Sequence, residues 1–83
     1  MIYTRKVEGF GTWRLDNNAP DKKWRVTFTA TGGDYRHRLD PAYDSAERAA
    51  ASIGYGRSIH PLWDSHPAAK FTSLPLSQWV DEG

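Results

Sequence analysis

The sequence contains no cysteine, which excludes a disulfide scaffold and a thiolate metal site and is typical of a reducing compartment. It also has no apolar run near the roughly 20 residues that a membrane helix requires. The first residues, which include Arg5 and Lys6, lack the apolar core of a signal peptide. We therefore expect a cytoplasmic protein that does not engage a membrane.

Aliphatic side chains are scarce. Leu, Ile, Val and Phe together number 14 of 83 residues, a low fraction that is typical of disorder when the net charge is large. The formal net charge is only +1, however, and four Trp, four Tyr and three Phe are present. Each of these rings can bury about 150–250 Å². The sequence therefore predicts one folded domain, residues 1–83, with an aromatic core.

Motifs for catalysis and cofactor binding are also lacking. The chain has no G-x-S-x-G sequence, no glycine-rich phosphate loop and no evident pair of catalytic acids. We expect a protein that is not an enzyme and needs no cofactor. A small ribonuclease that uses Arg36, His37, Arg38 and His60 is an alternative, which is supported by residue type alone.

Three potential metal ligands occur close together, at His60, Asp64 and His66. Their spacing matches no specific metal motif, and the proline that follows each histidine favours a turn. We therefore expect an exposed loop here and no metal site.

Residues 22–39 predict a β-hairpin. Residues 22–30 and 34–39 both alternate with period two, and both Gly32 and Gly33 can adopt the positive φ of a two-residue primed turn. This register pairs Val26 with Leu39, Phe28 with His37, Thr27 with Arg38 and Thr29 with Arg36.

A third strand is predicted at residues 11–15, and residues 2–7 alternate as an additional edge strand or form an ordered tail. Asp40 and Pro41 are expected to end the sheet. A helix should follow over residues 45–53, because Asp44 and Glu47 have capping-box spacing and small apolar residues follow at helical spacing. The predicted fold class is α+β: a three-stranded, or four-stranded, antiparallel sheet with one helix on one face.

The C-terminal residues lose any clear period, so an irregular segment is expected to wrap the open side of the domain. By residue type, the side chains expected to join the core from this segment are Trp63, Phe71, Leu74 and Trp79. The apolar residues near the C-terminus, Leu74, Leu76, Trp79 and Val80, fit two interpretations. They would anchor in a groove of a partner, or they would close over the core of this chain.

Charge is distributed unevenly, at +4 over residues 1–38 and −3 over residues 39–83. Strand alternation places a set of cations and hydroxyls on the sheet face opposite the helix: Arg14, Lys23, Arg25, Thr27, Thr29, Arg36 and Arg38. Such a face can contact phosphates, and Arg can read guanine edges. A two-layer domain also needs a solvated face, and Arg and Thr commonly fill it. The absence of evident counter-charges among these residues favours a binding role.

The order of features over residues 11–54 resembles the AP2-type DNA-binding fold and the related arm-binding domains of tyrosine recombinases. The resemblance is carried by the K-W-R-V strand at Trp24, the alternation around Arg36 and the Ala-rich helix that opens near Asp44. In those domains the exposed sheet face enters the major groove. The resemblance implies DNA contacts by Arg14, Arg25, Arg36 and Arg38. The six residues 16–21 form a longer loop than the family pattern has, and the last 29 residues have no counterpart.

In size and character alone, the chain is similar to small freestanding proteins of phages and mobile elements, including anti-CRISPR proteins. The function that we expect is non-enzymatic binding of a nucleic acid or nucleoprotein complex through the basic sheet face. The alternative is an inhibitor or adaptor that binds protein alone through the aromatic C-terminal half.

Overall fold

A computed structural model describes residues 1–33, 35–56, 58, 61–67, 69 and 74–83. Its strands are β1 (Ile2–Val7), β2 (Gly11–Asp16), β3 (Trp24–Ala30), β4 (Arg36–Tyr43) and β5 (Val80–Asp81). Helix α1 spans Ala46–Ile53, a 3₁₀ turn spans Gly54–Gly56, the one-turn helix α2 spans Pro61–Asp64, and a second 3₁₀ turn spans Leu76–Gln78. The strands form one antiparallel sheet in the order β4-β3-β2-β1-β5, with α1 packed against β2, β3 and β4. The predicted α+β class is confirmed, with more strands than expected.

The additional strand comes from the C-terminus. β1 pairs with β2 on one side and with β5 on the other, through Tyr3↔Asp81 and Thr4↔Val80. Ile2–Val7 is therefore an additional strand, as one of the two interpretations held, but its predicted position at the edge of the sheet was wrong. The Arg5 guanidinium supports this closure by donating to the backbone carbonyl and to the side-chain oxygen of Gln78, both at 3.1 Å.

The predicted hairpin register is confirmed at Thr27↔Arg38, Phe28↔His37 and Thr29↔Arg36. Gly32 and Gly33 both have positive φ, at 95° and 79°, while Asp34 at the predicted turn lies outside the described residues.

The predicted pair of Val26 with Leu39 was wrong. The register shifts between Arg25 and Thr27, beyond which Arg25 lies opposite Ala42. The sheet also does not end at Pro41, since β4 continues to Tyr43. β4 is an edge strand, where a residue without an N–H donor is tolerated, especially beside a bulge.

Helix α1 begins one residue later than the capping-box spacing predicted. Ser45 has an extended backbone, and its Oγ accepts a hydrogen bond from the Arg48 N–H at 3.2 Å, so Ser45 is the N-cap and the assignment of Asp44 was wrong. The helix ends at Ile53, as the predicted range 45–53 has it, and the N–H of the following Gly54 donates to the Ala51 carbonyl. Tyr55 follows with a φ of 56°.

The core is aromatic and lies between the sheet and α1. Trp13, Trp24 and Phe28 are buried, as is the small-residue face of α1 formed by Ala46, Ala49, Ala50 and Ile53. Because three of these four residues are alanines, the helix can approach the large rings of the sheet closely. This arrangement confirms the predicted aromatic core, to which Trp24 and Phe28 contribute.

C-terminal residues complete the core. Trp63, Leu74 and Trp79 are buried, whereas Phe71 lies outside the described residues. The Trp63 indole donates to the Ile53 carbonyl at 2.8 Å and the Trp79 indole to the Leu74 carbonyl at 3.0 Å. Trp63 lies on α2, where a loop was predicted.

Phe10 was not predicted to be a core residue. It lies between β1 and β2, and its ring centroid is 4.4 Å from that of Phe28 and 5.0 Å from that of Trp63. None of the helices in the described parts of the chain has the length and hydropathy that a bilayer span requires.

Candidate nucleic-acid interface

The polar face of the sheet is organised in rows across the strands. Residues directly opposite one another on neighbouring antiparallel strands point to the same side of the sheet. The pairings Arg14↔Thr27 and Thr27↔Arg38 place these three residues in one row. The adjacent row holds Thr12, Thr29 and Arg36. We call Arg14, Thr27, Thr29, Arg36 and Arg38 the basic face.

An open recess of about 480 Å³ lies on the basic face. It is lined by Arg14, Asp16, Asn18, Thr27, Arg36 and Arg38, and we call it the central recess. Thr27 is only 5% exposed although it points away from the apolar core. Its neighbours in the row are Arg14 and Arg38, and long arginine stems can cover a short side chain between them. Thr27 therefore forms part of the floor of the central recess.

Arg25 differs from the other predicted contact residues because it is already neutralised. Its guanidinium donates to both carboxylate oxygens of Asp21, at 2.9 and 2.8 Å. The hydrogen bonds from Arg25, together with one from the Lys23 N–H, hold the pKa of Asp21 well below its usual range. The same pairing raises the pKa of Arg25. The expectation that these residues lack counter-charges was therefore wrong at Arg25, and it was also wrong at Lys23, which lies close to Asp44.

Lys23 lies just before β3, which begins at Trp24. Its ammonium is 3.8 Å from the Asp44 carboxylate, and both side chains are largely exposed. An exposed pair at this separation contributes little to stability. Lys23 therefore stands beside the strand rows and does not line the central recess.

Arg14, Arg36 and Arg38 form no ion pair with any side chain that the structure describes. Arg36 and Arg38 are exposed and Arg14 is half-buried. Like charges on neighbouring strands destabilise a sheet. An arrangement that costs stability without a local compensating contact is typical of a functional site.

Of the ribonuclease alternative, the described residues Arg36, His37 and Arg38 do not share one face of the sheet. His37 pairs with Phe28 and therefore points to the opposite side of the sheet from Arg36 and Arg38. It is exposed and stacks on Tyr35, with ring centroids 6.3 Å apart. His60 lies outside the described residues.

The potential metal ligands that are described have other contacts. The Asp64 carboxylate accepts hydrogen bonds from the N–H and the hydroxyl of Ser58, at 2.9 and 2.8 Å. The His66 ring packs against Phe10 and Trp63, with centroid distances of 5.4 and 6.0 Å. Among the described residues, no group of three His, Cys, Asp or Glu side chains is placed to hold a metal ion.

Asp16, Asn18 and Asp21 belong to this surface but were missed in the sequence. Asp16 and Asn18 line the central recess and Asp21 binds Arg25, but all three fall in a segment whose composition predicted only a loop. A usable signal existed for Asp16, because it continues the alternation of Thr12 and Arg14 along β2. No comparable periodicity marks Asn18 or Asp21.

Comparisons with models of protein families, with curated proteins and with solved structures found no significant match to this chain. The assignment of a function therefore rests on the geometry and charge of the molecule itself.

Proposed function

We propose that this protein is a non-enzymatic binding protein whose basic face engages a nucleic acid or a nucleoprotein complex. The observation that carries the proposal is that Arg14, Arg36 and Arg38 line one open recess and form no ion pair with a described side chain. Guanidinium groups bind phosphate with two parallel hydrogen bonds, and each phosphate contact releases counterions from the nucleic acid. Hydroxyls of Thr27 and Thr29 add donors on the same face.

The competing proposal is an inhibitor or adaptor, of the anti-CRISPR kind, that binds protein alone through the C-terminal half. In that half, the described residues Trp63, Leu74 and Trp79 are buried in the core of the chain itself. Their apolar surface is therefore not offered to a partner. Among the described residues of this half, the large hydrophobic side chains that are exposed are Val80, at 58%, and Tyr55, at 50%. Two such side chains present a smaller apolar surface than the buried aromatic residues would. These burial values favour the basic face as the binding surface. The similarity to phage-encoded proteins is one of size and character alone.

Charge reversal on β4 tests the proposal. The double variant Arg36→Glu/Arg38→Glu should lose binding to fluorescent DNA and RNA probes in anisotropy titrations, and should lose nuclease-sensitive capture of partners from a lysate. Both side chains are exposed, so each substitution should change the unfolding free energy by less than about 0.5 kcal/mol. Circular dichroism and urea denaturation would verify that the fold persists.

The matched control is Arg48→Glu against Arg38→Glu, since both arginines are exposed and each substitution changes the net charge equally. Arg48 lies on α1, on the other side of the sheet, so its variant should retain binding. Unchanged binding by the double variant would refute the basic face, and equal losses at Arg38 and Arg48 would show only an effect of net charge.

A further inference from the structure

The central recess is more specific than a flat patch of positive charge. Its volume of about 480 Å³ falls within the roughly 300–1,000 Å³ of typical small-molecule sites. A duplex backbone that crosses a sheet needs only protruding cations. A concavity of this size can instead enclose a group that projects from a strand, or a small free ligand.

The two ends of the central recess have opposite character. Arg38 and Arg36 lie on β4 at one end, and Asp16 and Asn18 lie at the end of β2 and just beyond it. Arg14 and Thr27 lie between them, in the row that continues to Arg38. Asp16 is 9% exposed, and its Oδ1 accepts a hydrogen bond from the Asn18 backbone N–H at 3.4 Å. An anionic group would be attracted to the β4 end and repelled from the Asp16 end.

We infer that the central recess accepts one nucleoside phosphate unit, an inference that rests on the proposed function. Its phosphate binds Arg36 and Arg38, and hydrogen-bond donors of its sugar or base bind the Asp16 carboxylate and the Asn18 side chain. A carboxylate accepts hydrogen bonds from amino groups, ring N–H groups and hydroxyls, all of which a nucleotide can present. A paired nucleotide inside a duplex does not project into a concavity of this kind, so the unit is a free nucleotide or an unpaired nucleotide of a single strand.

The probes are the four ribonucleoside 5′-monophosphates, inorganic phosphate, a short single-stranded DNA and the duplex of the same sequence. Affinities are measured by NMR titration of the full chain. At least one nucleotide should bind about tenfold more tightly than inorganic phosphate, because it also contacts the Asp16 end. Tighter binding of the single strand than of the nucleotide would identify a strand as the source, whereas binding of the nucleotide alone would identify a free ligand.

Two substitutions address the recess itself. Thr27→Val removes the floor hydroxyl with little change of shape and should weaken nucleotide binding severalfold. The matched control is Thr12→Val, on the neighbouring strand β2 and the same side of the sheet, but outside the basic face and the recess lining. Asp16→Asn should weaken the preferred nucleotide about tenfold, yet strengthen inorganic phosphate binding by removing a negative charge. These opposite signs would not arise from a general loss of structure.

Equal affinities for nucleotides and inorganic phosphate, or the same direction of change for both in Asp16→Asn, would overturn the inference. So would binding of the duplex alone. After any of these three outcomes, the proposed function would survive if Arg36→Glu/Arg38→Glu still abolished binding of polyanions. If no nucleotide, strand or duplex bound and lysate capture were insensitive to nuclease, the inference and the proposed function would fail together.

Discussion

At the scale of a single residue, Arg25 shows that the sheet face on which a side chain lies does not determine whether the side chain is available to a ligand. Strand alternation places Arg25 with polar residues of β3, but its guanidinium is held by Asp21 at 2.8 Å. The partner lies in the loop before the strand, where no periodicity indicates the direction of a side chain. Sequence patterning can therefore assign an arginine to a face, while only coordinates show which arginines remain available to a ligand.

Gly11 is a second position where one residue controls the packing. A Cβ added there would lie 2.3 Å from the Thr29 carbonyl oxygen and 2.6 Å from the Phe28 ring. Both are held in place by the β2–β3 pairing, so neither can move away easily. Gly11→Ala should therefore lower the unfolding free energy, measured by urea denaturation, by about 1–3 kcal/mol beyond any conformational cost.

Gly33→Ala is the control for Gly11→Ala. Gly33 has a φ of +79°, but an added Cβ would meet nothing within 4 Å. Its substitution should cost only about 1–2 kcal/mol, from the backbone conformation. If Gly33→Ala lowered the unfolding free energy as much as Gly11→Ala, close packing at Gly11 would not be the cause of the destabilisation there.

At the scale of elements, strands with a clear alternation were predictable. β2 and β3 carry large apolar residues at every second position, and the hairpin turn has two glycines, which together determine the register near the turn. The register shift between Arg25 and Thr27 was not predictable, because the alternation favours the polar Asp40 opposite Arg25, whereas the structure places Ala42 there. β5 has only two residues, and two residues carry no period. The central recess was only partly predictable, because Asn18 reaches it from a loop.

The start of α1 gives a prediction at this scale. Ser45→Ala should destabilise the protein by about 1 kcal/mol, because it leaves the Arg48 N–H without its capping oxygen. Asp44→Ala is the matched control. It removes only the exposed 3.8 Å contact with Lys23 and should cost less than about 0.5 kcal/mol. Thermal and urea denaturation of both variants would show which of the two residues caps the helix. A larger loss of unfolding free energy in Asp44→Ala than in Ser45→Ala would support the capping box that the sequence predicted.

At the scale of the whole molecule, the formal net charge of +1 hides a strong internal asymmetry. The cations that line the central recess come from β2 and β4, and the helix side of the sheet carries the apolar core. A molecule with this distribution attracts polyanions to one side without being strongly basic overall. If the proposed function holds, binding depends on a few arginines, and their number should be measurable from the effect of salt.

The salt dependence of binding measures how many of these arginines contact phosphate groups. If Arg14, Arg36 and Arg38 each contact one phosphate, log affinity should fall with log salt concentration at a slope of about −3 on duplex DNA, or about −2 on a single strand. Arg25 does not contribute in the native protein, because Asp21 neutralises it. Asp21→Asn removes that negative charge and should steepen the slope by about one contact, whereas Arg38→Gln should make it shallower by the same amount. Anisotropy titrations at several salt concentrations would measure all three slopes.

If Asp21→Asn left the slope unchanged while Arg38→Gln reduced it, Arg25 would lie beyond the footprint of the nucleic acid, which would then be confined to the central recess and β4. If neither substitution changed the slope, phosphate contacts would not drive binding, and the basic face would have to be abandoned as the interface.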